Sequence, residues 1–285
     1  RAAGMALVRD LYKGRAMAQL MSFVMMIFTL VPAIAPLMGQ GILLVGTWRT
    51  IFVAFMIFAL VINTWFAVRQ PETLPVAQRR PLRVALLWQA ANELTHHRIA
   101  LISTLCQSLT LACLFATLSS QQSIFEQRFH NGPTFPLWFA FIALCAMSGS
   151  FINSRIVMRS GMRSVLVWTY VGQVGLTAVV LGLIVMGLMP EALAMPAHII
   201  WSIGIFGMMG LTMGNLNALA MEDLGHIAGF AASVITAAST VVSVLLAVPV
   251  GLAFDGTPVP LLTGALVFSV IALMLIQFAK KPATV

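Results

Sequence analysis

"MAQLMSFVMMIFTLVPAIAPLMGQGILLV", residues 17–45, holds no charged side chain over its whole length. At 1.5 Å per residue, a helix over this run is longer than the roughly 30 Å of hydrocarbon in a bilayer. Its centre nevertheless carries Pro32, Pro36, Gly39 and Gly41. In a soluble helix each interior proline costs about 3 kcal/mol, through a lost backbone hydrogen bond and a clash with the carbonyl one turn back. A membrane tolerates the same residues better, because hydrocarbon leaves the chain few alternatives to helix and neighbouring helices re-satisfy the freed backbone groups. The run therefore reads as a proline-bent membrane span.

The rest of the chain agrees. Charged residues make up 8% of the 285, against roughly 25% in soluble domains, while 60% are hydrophobic and the mean hydropathy is +0.98. The formal net charge of +8 raises nucleic acid as a partner, but the basic residues stand in short clusters between apolar runs rather than along one polar face. No nucleic-acid partner is expected. Cys106, Cys113 and Cys145 lie inside apolar runs without metal-ligand spacing, and Cys106 and Cys113 stand about 10 Å apart on one helix, beyond disulfide reach. They read as small buried thiols.

Uncharged runs long enough to cross a bilayer occur at about 17–46, 50–68, 99–125, 135–154, 164–189, 197–221, 227–253 and 259–279. These predict an all-α polytopic membrane protein with eight full spans and a stub at 1–8. Turn chemistry separates the later spans: "NGPT" at 131–134, "SGMRS" at 160–164, "MPEALAMP" at 189–196 and "FDGTPVP" at 254–260. Alternate connections define two sides. One carries Arg9, Lys13 and Arg15, then Arg69, Arg79, Arg80, Arg83 and Arg98, then Arg155, Arg159 and Arg163, then Lys280 and Lys281; the other carries Arg49 and Arg128. The positive-inside tendency makes the first side cytoplasmic, so the connection 69–98 and the C-terminus are expected to be cytoplasmic.

The segment 69–98 is the longest polar interruption. It divides the chain into a remainder of an N-terminal helical half (1–68), a cytoplasmic linker (69–98) and a C-terminal six-helix bundle (99–285). Six spans after a basic linker is the layout of the second half of a duplicated transporter. By subtraction, three spans and most of a fourth are expected in front of residue 1.

Several stretches match a known family in order and spacing. "VRDLYKG" at 8–14 is similar to the loop between helices four and five of the Bcr/CflA drug-resistance family of the major facilitator superfamily. "PAIAPLMG" at 32–39 resembles its antiporter motif in helix five, and "PETLP" at 71–75 its sixth-helix exit. "FINSRIVMRSGMRSVL" at 151–166 resembles the loop between helices eight and nine, and "ALAMEDLGHIAGFAASV" at 218–234 the passage from helix ten to eleven. The resemblance implies a partial major facilitator fold, from the end of helix four through helix twelve. It also implies a bacterial inner-membrane protein that exports drugs or small metabolites in exchange for protons by alternating access. The stretch "MMIFTLV" before Pro32 supplies fewer glycines than the family's antiporter motif, and the resemblance implies that the family's usual membrane carboxylate belongs to a first helix expected in front of residue 1.

Within that framework the residues sort by chemistry. The acidic side chains Asp10, Glu72, Glu93, Glu126, Glu191, Glu222, Asp223 and Asp255 all lie in connections or at span ends, so none is placed to carry a proton within the membrane. Pro32, Pro36, Gly39 and Gly41 read either as a shaped contact between the two halves or as a kinked packing segment without a gating role. Arg155, Arg159, Gly161 and Arg163 form a turn that is either topogenic or a cytoplasmic gate, in which an arginine pairs with Asp10 in one state of the cycle.

Ser120, Gln121, Gln122, Asn215 and Asn217 are the candidates for orienting a small-molecule substrate, with interhelical hydrogen bonding as the plainer reading. Gln107, Gln173 and Asn63 are weaker candidates. The series Gly204, Gly207, Gly210 and Gly214 reads as a close-packing face, and the methionines as lipid-facing, core or cavity groups. His96 and His97 lack further ligands for a metal, and no nucleotide-binding, metalloprotease or nucleophile-elbow motif stands in a credible setting. No catalysis, metal or cofactor is expected; the expected partners are substrate, protons and lipid, and the chain is expected to be monomeric. A non-transporting fragment, at most an assembly partner, is the alternative reading.

Overall fold

A computed structural model of the chain describes residues 34–69, 92, 96–222 and 228–278. Among them every regular element is a helix, as the hydropathy pattern implies. The chain divides into two compact units, Arg1–Leu82 and Arg83–Val285.

Unit 1 contributes α1 (Ile34–Leu43) and α2 (Trp48–Arg69). Pro36, Gly39 and Gly41 lie on α1, and Pro32 falls outside the described residues. A Cβ at Gly39 or Gly41 would meet no atom of the described residues within 4 Å. The start of α2 is set by a reciprocal pair at Thr47 and Thr50: the Thr47 N–H donates to Thr50 Oγ1 (3.1 Å) and the Thr50 N–H to the Thr47 carbonyl (2.9 Å). α2 has a mean hydropathy of 2.4 and buries none of its residues, with Phe52, Phe55, Phe58 and Trp65 all open to the surroundings. Such a surface is unfavourable in water and favourable in lipid.

Unit 2 contains six long helices: α3 (Arg98–Gln127), α4 (Phe135–Ser160), α5 (Met162–Val185), α6 (Glu191–Met221), α7 (Ala228–Leu252) and α8 (Val259–Phe278). α3 is the central helix, packed against α6, α7 and α8; α6 also packs on α4 and α5, and α8 on α5. The core between them is built from Leu109, Leu166, Tyr170, Trp201, Ile205, Leu216, Leu262 and Ala265. Leu137, Phe141 and Phe151 of α4 and Val241, Leu245 and Val248 of α7 are exposed on the surface of unit 2. Seven helices among the described residues are long and apolar enough to cross a membrane, and the run at 17–46 is described only over α1.

The turns follow their sequence signals with one correction. "NGPT" forms a 3₁₀ turn at Gly132–Thr134 that delivers Pro136 into the first turn of α4. "MPEALAMP" is not a turn throughout: α6 begins at Glu191 and runs through Pro196. Pro196 is the sixth residue of α6 and forgoes one donor to the Ala192 carbonyl, a loss that a membrane helix tolerates, while Glu191 in the first turn complements the helix dipole.

Gly161 alone separates α4 from α5, with φ 76° and ψ 155°, a backbone region essentially closed to other residues. Gly161→Val is therefore expected to lower stability by about 1–3 kcal/mol, read as a lower Tm of the chain in detergent. Gly187→Ala in the next connection, at φ 68°, should show a smaller loss of the same origin.

Two further packing features bear on the site. α4 and α6 meet backbone to backbone: a Cβ at Gly149 would lie 2.5 Å from the Gly207 carbonyl oxygen, and one at Gly210 would lie 2.7 Å from the Ser150 nitrogen. Gly204 faces Gln173 and Leu176 of α5 at 2.6 and 3.1 Å, whereas Gly214 has open space. The α6 glycines therefore do not form one packing face: Gly204 lies against α5 and Gly210 against α4, while a Cβ at Gly207 would reach only the Ala146 oxygen of α4 at 3.9 Å. On α7, the hydroxyls of Thr236, Ser239, Thr240 and Ser243 donate to carbonyls three or four residues back in the same helix.

Candidate functional site

The interior of unit 2 is not uniformly apolar. Along α3, Ser103, Gln107, Thr110, Thr117 and Gln121 recur at spacings of three, four and seven, which places them on one face, and all five are buried. Thr110 bonds the Tyr170 hydroxyl of α5 at 2.8 Å, while Thr110 and Thr117 also donate to the Cys106 and Cys113 carbonyls one turn back. The Ser103 hydroxyl and the Gln107 amide nitrogen are buried with no partner among the described residues. Burying so many polar groups is favourable only if they bond each other or something they enclose.

Near the C-terminal end of α3 these groups join a network from α5 and α6. Ser202 Oγ donates to the His198 carbonyl (2.8 Å), so it accepts from Gln121 Nε2 (3.1 Å). That fixes the Gln121 amide with Oε1 as the acceptor facing His198 Nε2 at 3.3 Å. His198 Nε2 therefore carries the hydrogen in the neutral ring, and Nδ1 is a bare acceptor. Nδ1 is buried without a partner among the described residues, and His198 as a whole is 2% exposed.

Aromatic rings enclose the imidazole: Trp201 stacks on it at 5.5 Å, with Phe129 at 5.6 Å and Phe125 at 6.1 Å. The Trp201 Nε1–H donates to Thr177 Oγ1 (3.0 Å), which in turn donates to the Gln173 carbonyl (2.7 Å).

His198 also lines a cavity of about 260 Å³ at this end of the bundle. Its other walls are Arg128 and Phe129, Val180 and Ile184, Gly187 and Met189, Ala194, and Thr257, Pro258 and Val259. Arg128 is held in a two-pronged pair with Glu191, Nη1 to Oε1 at 2.6 Å and Nη2 to Oε2 at 2.8 Å. The hydrogen bond to this carboxylate raises the Arg128 pKa above its ordinary value. In the neighbouring connection, Asp255 Oδ1 accepts from the Thr257 hydroxyl and N–H at 2.6 and 2.9 Å, and these bonds hold its carboxyl below the usual carboxylate range.

The opposite end of unit 2 carries a second polar group. Asn215 on α6 donates from Nδ2 to Asn153 Oδ1 of α4 at 2.7 Å and to the Leu211 carbonyl at 2.8 Å. Arg155 lies over the Phe151 ring at 4.6 Å. Arg163 donates to the Ile276 carbonyl at 3.4 Å, in the last turn of α8, where carbonyls lack helical partners. Arg159 is at the end of α4 beside Gly161. Asp10 lies outside the described residues, and so does any pairing with it.

The five substrate candidates are not brought together. Gln121 belongs to the His198 network, Ser120 is buried with its hydroxyl unpartnered among the described residues, and Gln122 is exposed beside Glu126 and His130. Asn215 is bonded to Asn153, and Asn217 is half-buried. Ser202, the partner of Gln121, precedes Asn215 on α6 by about 20 Å of helix. Of the weaker candidates, Asn63 closes onto its own helix at the Ala59 carbonyl (2.7 Å). Sequence reading missed His198, Ser202 and Asn153. A signal for the first was present, since a histidine inside an apolar membrane run is by default a functional-site candidate.

A six-helix unit with a buried polar interior, preceded by further apolar helices, defines a polytopic transporter-type membrane protein. Residues 1–247 match the Major Facilitator Superfamily, and the chain belongs to that family, whose members transport small molecules and are in general not enzymes. It is 29% identical over 267 residues, 92% of its length, to the uncharacterized MFS-type transporter YdgK of Bacillus subtilis. It is 26% identical over 234 residues, 81% of its length, to a bicyclomycin resistance protein homolog of Haemophilus influenzae. These alignments cover 64% and 57% of the two relatives, so the chain spans about three-fifths of their length.

Proposed function

We propose that this chain forms part of a Bcr/CflA-type exporter of drugs or small metabolites that works by proton antiport with alternating access in the bacterial inner membrane. The observation that carries the reading is the similarity over 81% of the chain to a protein named as a bicyclomycin resistance homolog, together with the ordered family motifs. In this reading the arginine-bearing ends of α4 and α5 and the connection 69–98 face the cytoplasm. The α1 segment with Pro36, Gly39 and Gly41 serves as a shaped contact between halves, and Arg155, Arg159, Gly161 and Arg163 act with Asp10 as the cytoplasmic gate. Ser120, whose buried hydroxyl lacks a partner among the described residues, and Gln121, Gln122, Asn215 and Asn217 supply polar contacts to substrate.

The test is efflux of a panel of antibiotics, nucleosides and amino-acid derivatives from cells carrying the gene that encodes this chain, with the 285-residue polypeptide expressed beside them. Export by the gene product that an uncoupler abolishes is the expected result. Efflux indifferent to the proton gradient, or export of no compound, overturns it. The 285-residue polypeptide by itself is expected to show no proton-coupled export, because its acidic side chains lie in connections or at span ends.

A further inference from the structure

We infer that the arginine corner between α4 and α5 binds the headgroup of an anionic phospholipid, with Arg155 and Arg159 holding its phosphate. The assignment needs only that unit 2 stands in a bilayer, so it and the export reading can fail separately.

The charge at this corner is one-sided. No Asp or Glu occurs from residue 127 to residue 190, the stretch that builds α4 and α5, while Arg155, Arg159 and Arg163 all fall beside Gly161. None of the three meets a carboxylate among the described residues. Arg155 lies over the Phe151 ring at 4.6 Å, Arg163 donates to the Ile276 carbonyl at 3.4 Å, and Arg159 is exposed in the last turn of α4. Arg155 and Arg159 are four residues apart on one helix, so they share a face one turn from each other. Two guanidinium groups at that spacing suit a phosphodiester, whose oxygens accept from the planar fork of arginine.

The placing of Arg155 decides between a lipid and a dissolved anion. Phe151 lies one turn farther into the apolar run of α4, so the ring contact draws the guanidinium back toward hydrocarbon rather than out to water. Phe151, Ile152, Ile156 and Met158 around it are all exposed. A dissolved phosphate that reached Arg155 would give up water beside this apolar surface and bring nothing to cover it. A phospholipid brings the anion together with acyl chains that cover Phe151 and Ile152, so charge pairing and apolar burial are gained in one step. Arg163, across the single-residue corner, adds positive potential while keeping its bond to α8.

The experiment titrates the purified 285-residue chain in detergent with phosphatidylglycerol and with phosphatidylcholine of the same acyl chains, followed by native mass spectrometry. Phosphatidylglycerol is expected to bind at least about fivefold more tightly, the effect of one arginine near an anionic headgroup. Arg155→Gln combined with Arg159→Gln is expected to bring the two lipids within about twofold of each other. Arg49→Gln is the comparison, because Arg49 also lies over a ring, Trp48 at 4.5 Å, but has no second arginine within a turn. It is expected to leave the preference intact. Equal affinity for the two lipids overturns the site, and so does a preference that survives the double change or falls equally with Arg49→Gln. Inorganic phosphate that displaces phosphatidylglycerol at millimolar concentration assigns the corner to a dissolved anion and overturns the lipid. Should the double variant give no folded chain, Arg159→Gln decides alone: an undiminished preference in it overturns the site.

Discussion

Gly149→Val is expected to destabilise unit 2 by about 1–3 kcal/mol, seen as a Tm in detergent lower by roughly 5 °C. The reason is the identity of the atoms in the way. A Cβ at Gly149 would stand 2.5 Å from the Gly207 carbonyl oxygen and 3.1 Å from its Cα, so no side chain can rotate aside and α4 and α6 must separate as whole helices. Gly210→Ala should act in the same direction, through the Ser150 backbone nitrogen at 2.7 Å. Gly214→Ala on the same helix provides the internal comparison, because a Cβ there meets nothing within 4 Å. It should be neutral or slightly stabilising, since alanine is the better helix former. Equal losses at Gly149 and Gly214 would contradict the packing described.

Gln121→Leu carries the second large effect, about 1–2 kcal/mol of stability. The change leaves the His198 Nε2–H and the Ser202 hydroxyl without their partner in a buried setting. Removing both ends should therefore cost less than the sum of the separate changes. In a double-mutant cycle, Gln121→Leu combined with His198→Phe is expected to lose less than the two single variants added together. Strict additivity in the unfolding free energies would show that the two side chains do not interact, and the tautomer assigned to His198 would then lose its basis.

Much of this architecture is legible in the sequence because hydrocarbon imposes a simple rule. Uncharged runs of sufficient length become helices, so α2 through α8 are foreseen from residues 50–68 and 99–279, with Gly161 and the "NGPT" turn at their joints. The start of α6 is the exception. A proline pair in "MPEALAMP" signals a break, yet α6 runs through Pro196 at the loss of one internal bond, as membrane helices allow.

The candidate site is legible only in part. "SSQQS" directs attention to Gln121, but its partners Ser202 and His198 lie 81 and 77 residues away. Which polar residue meets which depends on how α3, α5 and α6 rotate against each other, and rotation is decided by glycine contacts and core volumes rather than by local pattern. The same holds for Asn215, whose partner Asn153 comes from another helix across 62 residues. The heptad-like recurrence of Ser103, Gln107, Thr110, Thr117 and Gln121 was readable, since a polar face on an apolar helix marks an interior of unusual chemistry.

The hydroxyls of α7 have a bearing on how this helix can travel. Thr236, Ser239, Thr240 and Ser243 each close onto α7's own carbonyls, although the helix packs extensively on α3. Thr236 and Thr240 are exposed and Ser239 and Ser243 buried, and a shift of α7 along its neighbour breaks none of these four bonds. α4 and α6 meet through glycine backbones instead, so a displacement between those two must move whole helices.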